Sequence, residues 1–266
     1  MMDLAARIDA LGVSDSGRLF LSAGDRHVTY GDLRAETQRF AAGLKALGVS
    51  PGDRVTSQIE KSPEALFLYF GCLWLGAVYM PLNTGYTPAE LDYFVGDAEP
   101  ALYIHDPAAT PPQGVRTLTL AADGSGTLID ALPAASDLSR ADLPDSAQAA
   151  MLYTSGTTGR PKGAMIPRRA LASNAATLAE LWRFTADDVL LHALPVFHVH
   201  GLFVATNTVL AAGASMRFHP KFEAAAVLAD MPHASVLMGV PTFYTRLLQS
   251  PDALRAAART MRLFVS

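Results

Sequence analysis

The chain has 266 residues, 50% of them hydrophobic, enough to bury one large core or two smaller ones. Its formal net charge of −4 is spread along the sequence, which leaves no basic stripe for nucleic acid and no polybasic patch for a membrane, so the expected partners are small molecules. Cys72 is the single cysteine, and that excludes an internal disulfide and any multi-cysteine metal site.

The first residues, Met1-Met2-Asp3-Leu4, lack the charged-then-apolar layout of a signal peptide, and no apolar run approaches the length of a membrane span. A cytoplasmic setting is expected, with Cys72 a buried small hydrophobe inside the apolar run Leu66 to Leu75.

Residues 4 to 12 have the spacing of a short amphipathic helix, and Arg18 to Ser22 and Arg26 to Tyr30 that of two strands around Ala23-Gly24-Asp25. Tyr30-Gly31-Asp32-Leu33 opens a long helix carrying Leu33, Phe40, Leu44 and Leu47 and stopped by Gly48. A strand over Arg54 to Ile59 leads to a helix started by Ser62-Pro63-Glu64, with proline in its first turn, and Gly76 to Met80 returns as a strand. A helix over Ala89 to Ala98 and a strand over Ala101 to His105 repeat the alternation, the mark of a parallel α/β sheet. From Pro107 to Ser146 the chain turns rich in Ala, Pro, Asp and Ser, and is expected to be its least ordered part, a linker. Gly124-Ser125-Gly126 lacks the third glycine of a dinucleotide fingerprint.

That linker feeds Tyr153-Thr154-Ser155-Gly156-Thr157-Thr158-Gly159-Arg160-Pro161-Lys162-Gly163, directly after the apolar Ala149-Ala150-Met151-Leu152. Glycines let backbone N–H groups turn toward an anion, hydroxyls add donors, and Lys162 and Arg160 supply positive charge. A polar hairpin turn has a similar composition. A P-loop is disfavoured, because no Gly-Lys-Ser/Thr follows at the required offset.

Beyond it, a helix over Arg169 to Leu181, strands over Asp187 to Ala193, Ser215 to Phe218 and Ser235 to Val240, and helices over Gly201 to Ala211, Phe222 to Asp230 and from Pro241 keep the α/β order. Leu194-Pro195-Val196-Phe197-His198-Val199-His200-Gly201 falls where a strand gives way to a helix, the place where open α/β sheets present binding groups. His-x-His invites a metal, but no carboxylate or cysteine lies nearby at ligand spacing, and His192 is expected on a separate strand; histidines satisfied by backbone are the plainer reading. Arg246 is the one charge between Ala234 and Leu248, on a helix whose buried stripe is Phe243 and Leu247. Periodicity alone fits a surface arginine, while its planar fork also suits a substrate carboxylate.

The string from Tyr153 to Gly163 resembles the signature loop of the acyl-adenylate-forming enzymes, and Gly76 to Asn83 resembles a packing segment of the same superfamily. His198 to Phe203 together with Met238 to Arg246 resembles the malonyl-CoA synthetases. The resemblance implies an α/β fold of layered sheets with flanking helices, the N-terminal large-domain part of such an enzyme, with a first subdomain over residues 1–146, a second over 147–266, and no C-terminal domain. It implies ATP-dependent activation of malonate, or a close dicarboxylate, to an acyl-adenylate and then a CoA thioester, with Mg2+ on the phosphates and coenzyme A as co-substrate. Thr154, Ser155, Gly156, Thr157, Thr158, Gly159 and Lys162 would hold the phosphates; His198 would gate the acyl pocket, in the place of a catalytic residue; His200 would line it; and Arg246 and Ser266 would face the distal carboxylate. The principal catalytic lysine of the family lies in its C-terminal domain, so that role does not fall to Lys162. The apolar end Met261 to Ser266 reads as a truncation, and the piece alone is expected to be poorly active. A neutral-acid CoA synthetase, a noncatalytic ATP- or carboxylate-binding module, and a subunit that self-associates or is completed by another chain are the alternatives.

Overall fold

In the computed structural model, which describes residues 3–154 and 160–266, the chain opens with α1 (Leu4–Ser14), the hairpin β1 (Leu19–Ala23) and β2 (Arg26–Thr29), and α2 (Tyr30–Ala46). Then come β3 (Arg54–Gln58), α3 (Pro63–Leu75), β4 (Val78–Pro81), α4 (Pro88–Ala98) and β5 (Leu102–His105). Every residue of α3 is buried, which its unbroken apolar sequence requires. Ser62 caps its N-terminus by accepting the Ala65 N–H, Pro63 occupies the first turn, and Gly76 ends it in the left-handed region at φ 86°. α4 starts with a capping box, the Thr87 side chain and Glu90 satisfying each other's backbone N–H groups.

The Pro- and Ala-rich stretch after β5 holds only β6 (Thr117–Thr119) and the single turn α5 (Thr127–Asp130), yet it is fastened down. The Trp74 indole N–H donates to the Leu138 carbonyl at 2.7 Å, and the Ala141 N–H to the Trp74 carbonyl at 2.8 Å. Lacking regular structure, this stretch is still a tied covering strap, which corrects the reading of it as a linker.

β7 (Gln148–Thr154) and β8 (Lys162–Pro167) form an antiparallel pair, followed by α6 (Arg168–Leu181) and β9 (Val189–His192). A π-helix, His200–Thr206, runs into α7 (Asn207–Ala212), where a plain α-helix was expected. β10 (Ser215–Phe218), α8 (Ala224–Asp230), β11 (Val236–Met238), α9 (Pro241–Leu247), α10 (Pro251–Ala257) and β12 (Leu263–Val265) complete the order.

Pairing sorts these strands into two six-stranded sheets, β6-β5-β3-β4-β7-β8 and β12-β11-β9-β10-β1-β2, parallel except for the edge pairs β7–β8 and β1–β2. Two compact units follow the sheets, one of Met1–Ala6 and Arg34–Leu171, the other of Arg7–Leu33 and Ala172–Ser266. The grouping differs from a sequential cut at 146/147. β7 hydrogen-bonds to β4, so the strand that enters the glycine-rich segment belongs to the first unit, and β1 pairs with β10, so an early hairpin belongs to the second.

In the first unit Leu91, Phe94, Val95 and Ala98 of α4 pack with Val78, Met80, Tyr103 and Met151 of the sheet. In the second, Val227 and Met231 pack with Leu191, Leu237 and Leu247. No helix among the described residues is long and apolar enough to cross a membrane.

Candidate functional site

In the first unit the parallel strands β3, β4, β5 and β7 present their carboxyl ends at one edge, and the glycine-rich segment leaves β7 there. Thr154 is the last residue of β7 and Lys162 the first of β8; the two are register partners and both are exposed. Ser155, Gly156, Thr157, Thr158 and Gly159 lie outside the described residues. What precedes them is anchored: the Tyr153 hydroxyl donates to Asp97 Oδ2 at 2.6 Å, and the Tyr153 ring lies 4.4 Å from that of Phe94. Burial and the adjacent Asp97 carboxylate both push the Tyr153 phenol upward, so it stays a donor. A hydroxyl and an ammonium on facing strand ends are a donor set suited to a polyanion.

A groove of about 520 Å³ in the same unit runs along α4, bounded by Asp92, Val95, Glu99, Pro112 and Val115. Its two carboxylates would repel phosphate or a dicarboxylate, so it is no candidate for either.

In the second unit β9, β10, β11 and β12 are mutually parallel, and the residues expected to bind substrate follow the carboxyl ends of three adjacent strands. His198 and His200 follow β9, Arg246 lies on α9 after β11, and Ser266 follows β12. The topology therefore assembles, at one sheet edge, residues up to 68 positions apart in the chain.

His192 ends β9, the strand expected to hold it apart from the His198 and His200 run, and is fully buried. Its Nε2–H donates to the Gly201 carbonyl at 2.8 Å, with Thr206 Oγ1 at 3.2 Å, and the Thr206 hydroxyl donates to the same carbonyl at 2.9 Å. π-turns leave a carbonyl without its i→i+4 partner, and here two side chains satisfy it. This clamp fixes where the π-helix begins, and hence where His200, its first residue, and His198, two before it, are carried. Sequence reasoning missed the role, because the partner is a backbone carbonyl nine residues on.

His198 is exposed, with the Phe197 ring 4.7 Å from its own, and His200 is half-buried. Desolvation holds both imidazoles below their ordinary 6.5, so both are neutral at pH 7. Among the described residues no group of three His, Cys, Asp or Glu side chains could hold a metal ion.

Arg246 is presented by a firmly seated helix. Leu247 is buried, the Phe243 ring stacks on Phe222 at 3.9 Å and 13°, and the Tyr244 hydroxyl donates to the Val265 carbonyl, with the Leu237 carbonyl at 3.3 Å. α9 is thereby tied to both β11 and β12. Arg246 itself is exposed, and among the described residues its guanidinium makes no hydrogen bond or ion pair. Ser266 is also exposed.

Residues 12–266 match the family described as AMP-binding enzyme. Apo MatB from Rhodopseudomonas palustris is 47% identical and superposes with a TM-score of 0.93 over 100% of this chain and 54% of its own. The ATP-bound form of MatB gives 0.92 at the same identity, over 99% of this chain and 54% of its own. Indoleacetate–CoA ligase of Aromatoleum aromaticum is 31% identical over 289 residues, which take in 100% of this chain and 55% of that protein. Feruloyl-CoA synthase of an Amycolatopsis species is 34% identical over 90% of this chain and 49% of its own length. The chain thus spans about half the length of the relatives it matches.

Proposed function

We propose that this chain, which belongs to the AMP-binding enzyme family, carries the nucleotide-phosphate and acid-binding part of an acyl-adenylate-forming CoA ligase whose acid is malonate or a close dicarboxylate. One carboxylate of the acid attacks the α-phosphorus of ATP, pyrophosphate leaves, and the thiol of coenzyme A then displaces AMP. Such a reaction needs positioning and charge neutralisation more than covalent help from the protein.

The observation that carries the dicarboxylate reading is Arg246. A guanidinium without a partner among the described residues, on a helix pinned at the carboxyl edge of the sheet, suits a bidentate hold on the distal carboxylate. Held there, the acid keeps its other carboxylate free to react. The neutral imidazoles of His198 and His200 suit a gate and a wall, since neither adds a competing positive charge. Ser266 is taken as a second donor to the distal carboxylate.

Thr154 and Lys162, with Ser155 to Gly159 between them, are taken to hold the phosphates of ATP; the ATP-bound state of MatB, 47% identical, supports this. Mg2+ would neutralise phosphate charge when bound. The described residues offer it no cluster of ligands, so the cationic charge this chain itself brings to the phosphates comes from Lys162 and Arg160.

The relatives named for indoleacetate and ferulate keep a monocarboxylate reading open. The test is acid-dependent pyrophosphate release from ATP and Mg2+, by this chain and by one extended to the length of its relatives, with acetate and succinate as controls. Release selective for malonate is expected from the extended chain, and the isolated chain is expected to be poorly active. Equal release with acetate would overturn the dicarboxylate reading.

A further inference from the structure

α4 carries two faces. Leu91, Phe94, Val95 and Ala98 fill the core, and that stripe alone would seat the helix. The Tyr93 ring packs against that core as well, yet its hydroxyl, and the Asp97 carboxylate one turn on, reach to the two strands that bear the glycine-rich segment. Asp97 Oδ2 accepts the Tyr153 hydroxyl at 2.6 Å on the β7 side. Tyr93 donates its hydroxyl to the Pro161 carbonyl at 2.8 Å on the β8 side, and the Arg160 guanidinium lies 5.6 Å from the centre of the Tyr93 ring. The Tyr93 and Tyr153 rings meet edge-on at 6.3 Å, so the two anchors also touch each other.

We propose that Tyr93 and Asp97 are positioning residues for the phosphates of ATP, tying both ends of the Thr154–Lys162 segment to a single helix. The inference rests on the reading of that segment as phosphate-binding. A loop that must offer several donors to one anion loses affinity when its ends wander, because ordering them is then charged to binding. One rigid helix holding both ends removes that cost.

The experiment measures ATP and malonate affinities by calorimetry, thermal midpoints, and amide exchange at Thr154, Lys162 and Gly163 for Tyr93→Phe, Tyr93→Leu, Asp97→Ala and Asp97→Asn. Each lost anchor is expected to weaken ATP about three- to tenfold, with faster exchange at those amides and unchanged malonate affinity; the thermal midpoint is unchanged for Asp97→Ala and Asp97→Asn and lower for Tyr93→Leu, which loses the ring's packing on the core. Tyr93→Phe keeps a ring under Arg160 and loses less than Tyr93→Leu, while Asp97→Asn keeps an acceptor for Tyr153 and restores affinity. ATP affinity of wild-type strength in both Tyr93→Leu and Asp97→Ala overturns the proposal. In the Asp97 variants an equal loss of malonate affinity and thermal midpoint also overturns it, since that reports general destabilisation. A wild-type chain that binds no ATP overturns the phosphate reading itself, a distinct failure.

Discussion

Gly201→Ala tests whether the turn that carries His198 and His200 is built as tightly as the structure has it. A Cβ at this position would lie 2.0 Å from the Pro195 carbonyl oxygen, 2.9 Å from its carbonyl carbon and 3.2 Å from Leu194 Cβ. Ordinary contact demands a retreat of roughly 1.4 Å, and the obstacle is backbone that cannot rotate aside. Moving Gly201 also strains the bonds its carbonyl receives from His192 and Thr206. Overpacking together with a weakened buried hydrogen bond costs about 2–4 kcal/mol, a fall of roughly 4–12 °C in thermal midpoint for a chain of this size. Gly96→Ala is the control: nothing lies within 4 Å of its Cβ position, on the exposed side of α4. That substitution should raise stability by up to about 1 kcal/mol through helix propensity. The assay is thermal unfolding by circular dichroism, with malonate affinity alongside. A Gly201→Ala chain with wild-type midpoint and wild-type malonate affinity would refute the tight turn.

Other expectations concern charge. Burial alone would raise the Asp188 carboxyl, but Arg262, Thr185 and Ser235 outweigh it and hold it below 3.8, with Arg262 Nη2 at 2.6 Å and Nε at 2.7 Å. Arg262→Ala should therefore cost about 1–3 kcal/mol, discounted because Arg262 is more than a third exposed; an unchanged denaturant midpoint would contradict it. The folded pKa of Asp188 is depressed, so the stability it contributes is present above 3.8 and is lost as pH falls through its folded value. The gap between wild type and Arg262→Ala should accordingly close on acidification, and a gap independent of pH would count against the ion pair. For His198 and His200, held below their ordinary 6.5 by desolvation, malonate affinity should change little from about pH 7.5 upward. A titration step near neutrality that His198→Asn abolishes would show a charged ring instead.

The elements that could be read from sequence are those whose signals are local. Ser62-Pro63 before an apolar run announces α3, and Pro241 announces α9, whose buried Leu247 and exposed Arg246 follow the helical period. Pairing between distant strands has no such signal. β8 has no signal of its own, because Lys162-Gly163-Ala164-Met165 has little strand character until β7 lies beside it. A sequential cut at 146/147 differs from the grouping by sheet for the same reason: β1 finds β10 nearly 200 residues away. The π-helix is hidden because Gly201 to Ala211 is apolar but for the consecutive Thr206-Asn207-Thr208 and shows no helical period, so the extra residue per turn leaves no trace. Of the candidate site, the motif residues were legible as chemistry, whereas His192, Tyr93 and Asp97 act through backbone carbonyls and a tyrosine that only the fold brings near.

The most direct measurement is malonate affinity by calorimetry for the wild-type chain, Arg246→Ala and Arg246→Lys, with acetate as the reference acid. A clamp on the distal carboxylate requires Arg246→Ala to lose about tenfold or more, Arg246→Lys to recover part of that loss, and acetate to be indifferent to both. Malonate bound by Arg246→Ala as tightly as by wild type would contradict the assignment of a dicarboxylate to this site.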